Sequence, residues 1–545
     1  MKPAPRFLLW LPLFAAVIRA CSLPGWIWGP LAFAYALPRI HHWEQGGRWW
    51  SDGLGGLLWW ILAFSYLANI HPLLPLGPAP FLALWWIGEA FLYRQLRRLL
   101  PAMESGVLAL AAGEYFRSHM PMGGVPVASP ALGLADYDWA FALAQVIGGP
   151  GLDLLVLAWG AWPLALVHRR WRAAWLLPLA TAILAVLAAF SPAPAEGGRP
   201  LRVLGIQPNL DVLEKNDVLL VEDVTEANLV QVAKALEMGV QPDLLVWAET
   251  MFPYPVMPED AQGWLRRPSR RGPGLEEKPA ASVIDFQRIF IGRLLHFVGP
   301  KAYFLTGAHF YQGVDSKLPE ETESVRTSET LAFGSGGRLV ANLPKTVMVP
   351  FGESLPFQGR LPGSKPFALW IYRHFGLLPT FLPSPVLGPM ELPDLRHPER
   401  PPWQVGVAIC WENVYEKPFR LQAQRGAEAF LVLSNEAWYG IGTEMDQMLA
   451  ATRYRVAESG RGVFRVTNDG HTLWMDPRGE VKASLPRGQA GWLAVDLERV
   501  AGDTQSLYLM GGWRLRPALA WLALILALAA RILGRRHLDP PPGRG

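Results

Sequence analysis

Cysteine is nearly absent from this chain, which has only Cys21 and Cys410 among 545 residues. Cys21 stands in an apolar N-terminal segment, which argues against a disulfide with Cys410. Without a second cysteine pair no cysteine-based metal site can form, and the eleven histidines show no HExxH-type spacing. The sequence therefore predicts neither a metal nor another cofactor.

Charged residues are also scarce, at 18% of the chain, whereas 51% of the residues are hydrophobic. This composition is too apolar for an ordinary soluble protein and too charged for one buried entirely in a bilayer. The formal net charge of +4 is small for this length and argues against a nucleic-acid partner. The length favours two domains.

Long apolar segments are concentrated at the two ends of the chain. Several are shorter than the roughly 20 residues of a usual bilayer-spanning helix, so tilted or broken helices are expected among them. No small-residue cleavage site follows the first, which favours a membrane domain of about seven spans over a removable signal peptide. The segments are 7–20, 25–40, 53–70, 78–95, 104–117, 148–167, 173–190 and, near the C-terminus, 517–533.

Arginine clusters follow several of these segments and predict an orientation. If the clusters at 94–98, 169–172 and 531–536 face the cytoplasm, the spans alternate without conflict. The membrane domain then covers 1–190, the C-terminal span covers 512–536, and the tail 537–545 is cytoplasmic. What lies between would be on the outer face.

The central region has a different pattern, which begins after a proline- and glycine-rich linker at 191–200. Short apolar runs alternate with polar helical stretches, which predicts an α/β/β/α layered domain over 201–505. Two long inserts at 250–282 and 357–388 are rich in proline and basic residues, and the second has the composition of a bilayer-surface loop. Strands are predicted at 201–207, 243–248, 302–308, 329–333, 338–342, 347–349, 405–409, 429–434, 462–467, 471–476 and 491–496, and helices at 222–239, 281–298, 414–426 and 443–460.

Three of the apolar runs end in a side chain that a globular core would not need, namely Glu249, Lys345 and Cys410. Functional residues gather at the carboxyl ends of strands in open α/β sheets. We expect Glu249 to remove the thiol proton and Cys410 to attack an acyl carbonyl, forming a thioester. Lys345 would lower the pKa of the thiol and stabilise the oxyanion, helped by the backbone N–H of Trp411 and the dipole of a helix that follows.

Each residue of this set has a simpler interpretation when taken alone. A cysteine at a strand end is often a small buried apolar residue, and a single Glu or Lys is usually exposed. The coincidence of all three at strand ends is what favours a catalytic site.

Four blocks carry a resemblance to a known family: 245–249 (LVWAE), 345–353 (KTVMVPFGE), 407–412 (VAICWE) and 433–440 (LSNEAWYG). They resemble the nitrilase superfamily and, more narrowly, its membrane-embedded branch, the apolipoprotein N-acyltransferases. The resemblance implies a multi-span α-helical membrane domain plus an α/β/β/α nitrilase-like sandwich.

The resemblance also implies an activity and a set of residues. Members of this branch move an acyl chain from a phospholipid to the N-terminal amino group of an S-diacylglyceryl-cysteine on a lipoprotein. Carried over to this sequence, Glu249 is the base, Lys345 the essential lysine and Cys410 the acyl acceptor. The supporting residues are Glu353 and Glu412, which orient Lys345 or the substrate amine, Asn435 and Trp438, which support the pocket, and Trp411, which follows the cysteine.

The expected setting is the bacterial inner membrane, with a multi-pass monomer whose catalytic domain lies on the outer face. Its partners would be a membrane phospholipid, a diacylated lipoprotein and the bilayer. Two alternatives stay open at this point. The same triad could serve a membrane-anchored amidase or hydrolase with water as acceptor, or the chain could be a lipid-binding scaffold with a vestigial domain, in which Cys410 would be dispensable.

Overall fold

The structure of the protein is a computed structural model. It describes residues 9–120, 124–191, 194–195, 197–211, 221–268, 275–311, 326–350, 352–355, 366–368, 370–371, 381, 383–385, 388–440 and 442–536. The chain forms two compact units. The helical unit comprises Met1–Pro192, Ile441–Glu458 and Gln505–Gly545, and the α/β unit comprises Ala193–Gly440 and Ser459–Thr504.

The helices of the described chain are numbered in chain order. They are α1 (Leu11–Cys21), α2 (Ala36–Glu44), α3 (Trp49–Ala63), α4 (Ala79–Leu96), α5 (Ala102–Arg117), α6 (Asp138–Val167), α7 (Trp171–Ala189), α8 (Val221–Glu237), α9 (Ala280–Val298), α10 (Glu416–Gln424), α11 (Glu444–Ser459), α12 (Leu507–Met510) and α13 (Leu515–Arg536). Short 3-10 turns include Gly29–Ala34, Ser65–Asn69, Cys410–Val414 and Ala437–Tyr439.

The strands are β1 (Leu201–Gln207), β2 (Leu244–Trp247), β3 (Trp264–Pro268), β4 (Leu275–Pro279), β5 (Tyr303–Tyr311), β6 (Arg326–Phe333), β7 (Leu339–Pro344), β8 (Met390–Leu392), β9 (Trp403–Ile409), β10 (Ala429–Ser434), β11 (Val463–Thr467), β12 (Leu473–Met475), β13 (Val481–Ser484) and β14 (Gly491–Leu497).

The helical unit contains the apolar helices that the sequence predicted. Among the described residues, three helical stretches are long and apolar enough to cross a membrane: α6, α7 and Gly512–Leu533. The segment predicted as one span at 25–40 is broken, because a 3-10 turn over Gly29–Ala34 precedes α2. The count of seven spans before residue 190 and the predicted domain boundaries stay predictions.

Helix α6 bends at Gly148, where φ is +71°. A side chain there would be strained by this backbone conformation. It would also come within 2.4 Å of the Tyr508 ring. The bend is secured by Glu458 of α11, whose carboxylate accepts a hydrogen bond of 2.9 Å from the N–H of Gly149. Most of α11, which connects β10 and β11 in the sequence, therefore packs as part of the helical unit.

The interior of the helical unit holds a group of charged side chains that we call the helical charge cluster. Arg19 and Arg117 each pair with Glu114 at 2.5 Å, and Arg39 pairs with Asp52 at 3.1 Å and with Glu89. All are almost fully buried. Three cations thus face three carboxylates, so the cluster is electrically balanced. Its members are Arg19, Arg39, Asp52, Glu89, Glu114 and Arg117.

The α/β unit is a sandwich of two six-stranded sheets. The strand orders are β14-β1-β2-β5-β6-β7 and β13-β12-β11-β10-β9-β8. Each sheet has three central parallel strands with antiparallel strands at its edges. Apolar side chains from both sheets form one continuous core. Helices α8 and α9 pack on the first sheet and α10 packs on the second, which gives the predicted α/β/β/α architecture.

The structure departs from the local predictions for this unit at several positions. The segment 347–349 is not a strand, because carboxylates rather than a neighbouring strand take its N–H groups: Val347 donates to Glu412 and Val349 to Glu353. The insert at 250–282 contains the hairpin β3–β4, and β8 and β13 were not predicted. The helix predicted at 414–426 corresponds to α10, which begins at Glu416 behind the 3-10 turn Cys410–Val414.

The described part of the predicted linker is ordered against the α/β unit. The N–H of Gly197 donates to the carbonyl of Arg499 at 2.7 Å, and Arg199 pairs with Asp243 at 2.7 Å and with Asp394 at 3.0 Å. The insert predicted at 357–388 lies largely outside the described residues, and so does the C-terminal tail 537–545.

Candidate active site

The three predicted reactive residues lie at the same edge of the sandwich. Glu249 follows β2 and Cys410 follows β9, and both strands are central parallel strands of their sheets. Lys345 follows β7, which runs in the direction of β5 because two antiparallel steps separate them. The carboxyl ends of strands from both sheets therefore deliver these side chains to one place.

The Lys345 side chain lies at the centre of the candidate site. It is fully buried, and its ammonium lies 2.7 Å from Glu353 Oε1 and 3.3 Å from Glu249 Oε1. A buried ammonium is tolerated only when it is paired and hydrogen-bonded, and here two carboxylates do this. The second oxygen of Glu353 accepts the N–H of Val349 at 2.8 Å, which fixes that carboxylate in turn.

Burial by itself would lower the pKa of Lys345. The carboxylates of Glu353 and Glu249 outweigh that effect and, together with the nearby Cys410 sulfur, raise the pKa above its ordinary value. Lys345 is therefore a fixed ammonium at neutral pH.

Cys410 occupies a left-handed backbone position, with φ of +49°, at the first residue of the 3-10 turn. Such a conformation is unfavourable for a residue with a Cβ and is held only by surrounding structure. It leaves the Cys410 side chain partly exposed at the end of a buried strand. The next residue, Trp411, is buried, and its indole N–H donates to the Tyr415 hydroxyl at 3.1 Å.

A second left-handed position lies beside Glu249. Thr250 has φ of +54°, and its N–H donates to the carbonyl of Gly307 at 2.8 Å. Gly307 is required there, since a Cβ on it would come within 2.9 Å of the Glu249 Cα. The strand ends that carry Glu249 and Cys410 are therefore both held in strained turns by specific contacts.

Glu412 connects the lysine segment to the cysteine strand. One oxygen accepts hydrogen bonds from the Thr346 N–H and hydroxyl, each at 2.6 Å, and the other accepts the Ile409 N–H at 2.9 Å. Burial raises the pKa of Glu412, although these hydrogen bonds and the charge of Lys345 oppose the shift. Glu353 thus contacts Lys345 directly, whereas Glu412 holds the backbone on either side of the site.

An asparagine pair supports Glu249. The N–H of Asn435, just past β10, donates to Glu249 Oε2 at 3.2 Å, and Asn435 Oδ1 accepts a 3.0 Å bond from Asn468 Nδ2. The Asn435 Nδ2 atom is buried and has no hydrogen-bond partner in the described chain. Trp438 is half-buried in the turn Ala437–Tyr439, and its indole makes no hydrogen bond to the described residues of the site.

Two contributors were not predicted as site residues. Thr346 donates twice to Glu412, and Asn468, which follows β11, positions Asn435. Asn468 shares the signal that identified the others, since it is a polar residue directly after a buried parallel strand. Within the described ranges, no group of three or more His, Cys, Asp or Glu side chains could hold a metal ion.

These residues bring a thiol, carboxylates and a buried ammonium to the same edge of the α/β unit. In comparisons with known proteins, the carbon-nitrogen hydrolase family model matches residues 358–504. That range contains Cys410 and its strand.

More particularly, the chain is similar to curated apolipoprotein N-acyltransferases. It is 27% identical to the one from Azotobacter vinelandii over 98% of this chain and 81% of that protein. It is 26% identical to the one from Pseudomonas syringae pv. tomato over 96% of this chain and 82% of that protein. For the Caulobacter vibrioides protein the values are 28%, 82% and 78%. The resemblance that the sequence blocks indicated is thus confirmed.

Proposed function

We propose that this protein is an N-acyltransferase of lipoprotein maturation. It transfers an acyl chain from a membrane phospholipid to the N-terminal amino group of an S-diacylglyceryl-cysteine, by way of a thioester on Cys410. The similarity to apolipoprotein N-acyltransferases over nearly the whole chain supports this activity. The structural observation that carries the mechanism is the buried Lys345 ammonium between Glu249 and Glu353.

In the first half-reaction Glu249 accepts the thiol proton and the Cys410 sulfur attacks the ester carbonyl of the phospholipid. The negative charge that develops on the carbonyl oxygen is stabilised by the Lys345 ammonium, which is already in place and needs no reorganisation. The carbon–oxygen bond then breaks. The lysophospholipid leaves with the proton returned by Glu249, and the acyl group stays on sulfur.

In the second half-reaction the amino group of the acceptor attacks the thioester carbonyl. Glu249 takes a proton from the attacking nitrogen and returns it to the departing sulfur, so that the amide forms and the thiol is restored. Glu353 holds Lys345 in its charged form throughout, which leaves the Glu249 carboxylate available for proton transfer. The Asn435 amide, which is buried and unpaired among the described residues, would position the substrate.

The setting that we propose is the bacterial inner membrane, with the protein as a multi-pass monomer. The candidate spans α6, α7 and Gly512–Leu533 support membrane insertion. The arginine clusters at 94–98, 169–172 and 531–536 favour a cytoplasmic location for those connections and an outer location for the α/β unit. Both substrates are membrane lipids or lipid-anchored, so an active site at the bilayer surface would reach them without extracting either.

The test is an acceptor assay with the full-length protein in mixed micelles that contain an acyl-labelled phospholipid and a synthetic diacylated lipopeptide. The expected product is the N-acylated lipopeptide, with Cys410→Ala as the inactive control. Release of labelled fatty acid without N-acylation would support the hydrolase alternative instead. Activity that survives Cys410→Ala would contradict the thioester mechanism.

A further inference from the structure

The helical unit contains a cleft that neither half-reaction uses. It has a volume of about 550 Å³ and lies where the end of α2 meets the α4–α5 and α6–α7 connections. Binding sites for small ligands commonly have volumes of roughly 300–1,000 Å³, so this cleft can hold a lipid headgroup.

The lining of the cleft is basic. It includes the side chains of Arg97, Arg98, Arg170 and His168, with Glu44 as the acidic residue among them. Arg170 is paired with Glu104, and His168 Nε2 lies 3.4 Å from Glu44.

The other two guanidinium groups are not neutralised. Arg97 donates to the Leu100 carbonyl at 2.9 Å, and this acceptor is uncharged. The Arg98 backbone N–H donates to the Gln95 carbonyl at 3.2 Å, but the Arg98 side chain makes no hydrogen bond or ion pair with any described residue. The cleft therefore presents two positive charges without carboxylate partners, in side chains whose planar donors suit phosphate oxygens.

The surroundings of the cleft are those of a bilayer interface. The connection between the two candidate spans α6 and α7 forms part of its lining. Exposed apolar side chains stand beside it: Val167 is 75% exposed, Trp171 62% and Leu99 43%. Tryptophan at the end of a membrane helix is typical of headgroup depth. These exposed apolar side chains would not stabilise a free anion, whereas they can pack against the acyl chains of a lipid.

We propose that this cleft binds the phosphate headgroup of an anionic phospholipid, held by Arg97 and Arg98, as a site separate from acyl transfer. Basic pockets at the ends of membrane helices are suited to such headgroups. The inference does not rest on the proposed enzymatic function, because it concerns a different unit and a bound rather than a reacting lipid. The proposed site also differs from the role of arginine clusters in setting membrane orientation, because that role requires no cleft.

The test is native mass spectrometry of the full-length protein in neutral detergent, titrated with diether phosphatidylglycerol or diether phosphatidylcholine. Ether lipids cannot donate an acyl group, so the measurement is independent of turnover. We expect phosphatidylglycerol to be retained in preference to phosphatidylcholine. The Arg97→Gln/Arg98→Gln variant should bind it about tenfold to thirtyfold more weakly, since each basic residue near an anionic lipid contributes about one decade or less.

The matched control is Arg48→Gln/Arg531→Gln, which removes the same charge from exposed positions outside the cleft. It should bind phosphatidylglycerol like the unmodified protein. If the double variant in the cleft does not fold, Arg98→Gln alone serves, because the Arg98 side chain has no partner to lose in the described structure.

Three results would overturn the proposal. They are unchanged binding in the cleft variant, equal loss in the control, and full displacement of the lipid by millimolar inorganic phosphate, which would indicate a simple anion site.

Discussion

The molecule buries charge in two places, and the two differ in balance. In the helical charge cluster three arginines face three carboxylates, and every pair is almost fully buried. At Lys345 one ammonium faces two carboxylates beside a partly exposed thiol. The helical charge cluster has one carboxylate for each cation, whereas the site at Lys345 has two carboxylates for one ammonium, and we propose that one of them, Glu249, moves the proton. The comparison teaches that a buried cluster is a better candidate for a reactive site when its carboxylates and cations are unequal in number.

The largest effect is expected from Lys345→Met. Loss of a prepositioned charge at the developing oxyanion should lower the transfer rate per folded molecule by roughly 10²–10³-fold or more. The assay of acyl transfer to a lipopeptide measures this, and Lys301→Met, an exposed lysine in the same unit, is the matched control. A Lys345→Met protein with near-normal turnover would contradict the role assigned to the ammonium.

Arg39→Met should lower the stability of the protein and leave the transfer rate nearly unchanged. It leaves Glu89 and Asp52 without their shared cation in a dry environment, and breaking a buried pair in this way typically costs about 3–5 kcal/mol. The midpoint of thermal unfolding in detergent should fall clearly, while the rate per folded molecule should stay within about threefold. Arg48→Met, on the exposed side of the same unit, should change neither. A large rate loss with unchanged unfolding would make this cluster part of the catalytic machinery and so break the comparison.

A smaller effect is expected from Thr346→Val, which deletes the 2.6 Å hydrogen bond from the hydroxyl to Glu412. The acceptor is a buried carboxylate, so the loss should be about 1–2 kcal/mol in unfolding free energy, with a modest rate decrease. Thr330→Val is the control, because the buried Thr330 hydroxyl has no partner in the described chain and its removal should be neutral or stabilising. Equal effects of the two substitutions would mean that the Glu412 contact adds nothing.

A pH-dependent effect is expected at Asp469, next to the Asn468 that supports the site. Burial and the neighbouring Glu436 carboxylate raise the pKa of Asp469 to about 6, above its ordinary value near 3.9. The folded state therefore binds this proton more tightly, so its stabilising contribution is full below about pH 4 and is lost as the pH rises through 6.

The corresponding measurement is the unfolding midpoint of Asp469→Asn relative to the unmodified protein at several pH values. The variant should gain in relative stability between pH 4.5 and 7.5 and level off above that range. Asp285→Asn, at an exposed position of α9, should show no such trend. A flat difference for Asp469→Asn would show that its carboxyl is not perturbed by folding.

Much of this account could be predicted from the sequence, because short apolar runs that end in polar residues identify buried strands and their functional ends. The strands at 201–207 and 429–434 agree with the structure to the residue. The positions after β2, β7 and β9 were recognised in the same way. The local sequence pattern was sufficient where the position of a site residue depends only on the end of its own strand.

What could not be predicted depends on contacts between distant segments. The segment 347–349 has the composition of a strand, but Glu353 and Glu412 take its N–H groups. The pairing of Arg39 with residues 13 and 50 positions away has no local signal at all.

The most direct test of the central claim is the intact mass of the full-length protein after incubation with an ester phospholipid and no acceptor. The account predicts one added acyl group, located on Cys410 by peptide mapping, released by hydroxylamine and absent in Cys410→Ala. A protein that transfers acyl chains to a lipopeptide without ever carrying an acyl group on Cys410 would contradict it.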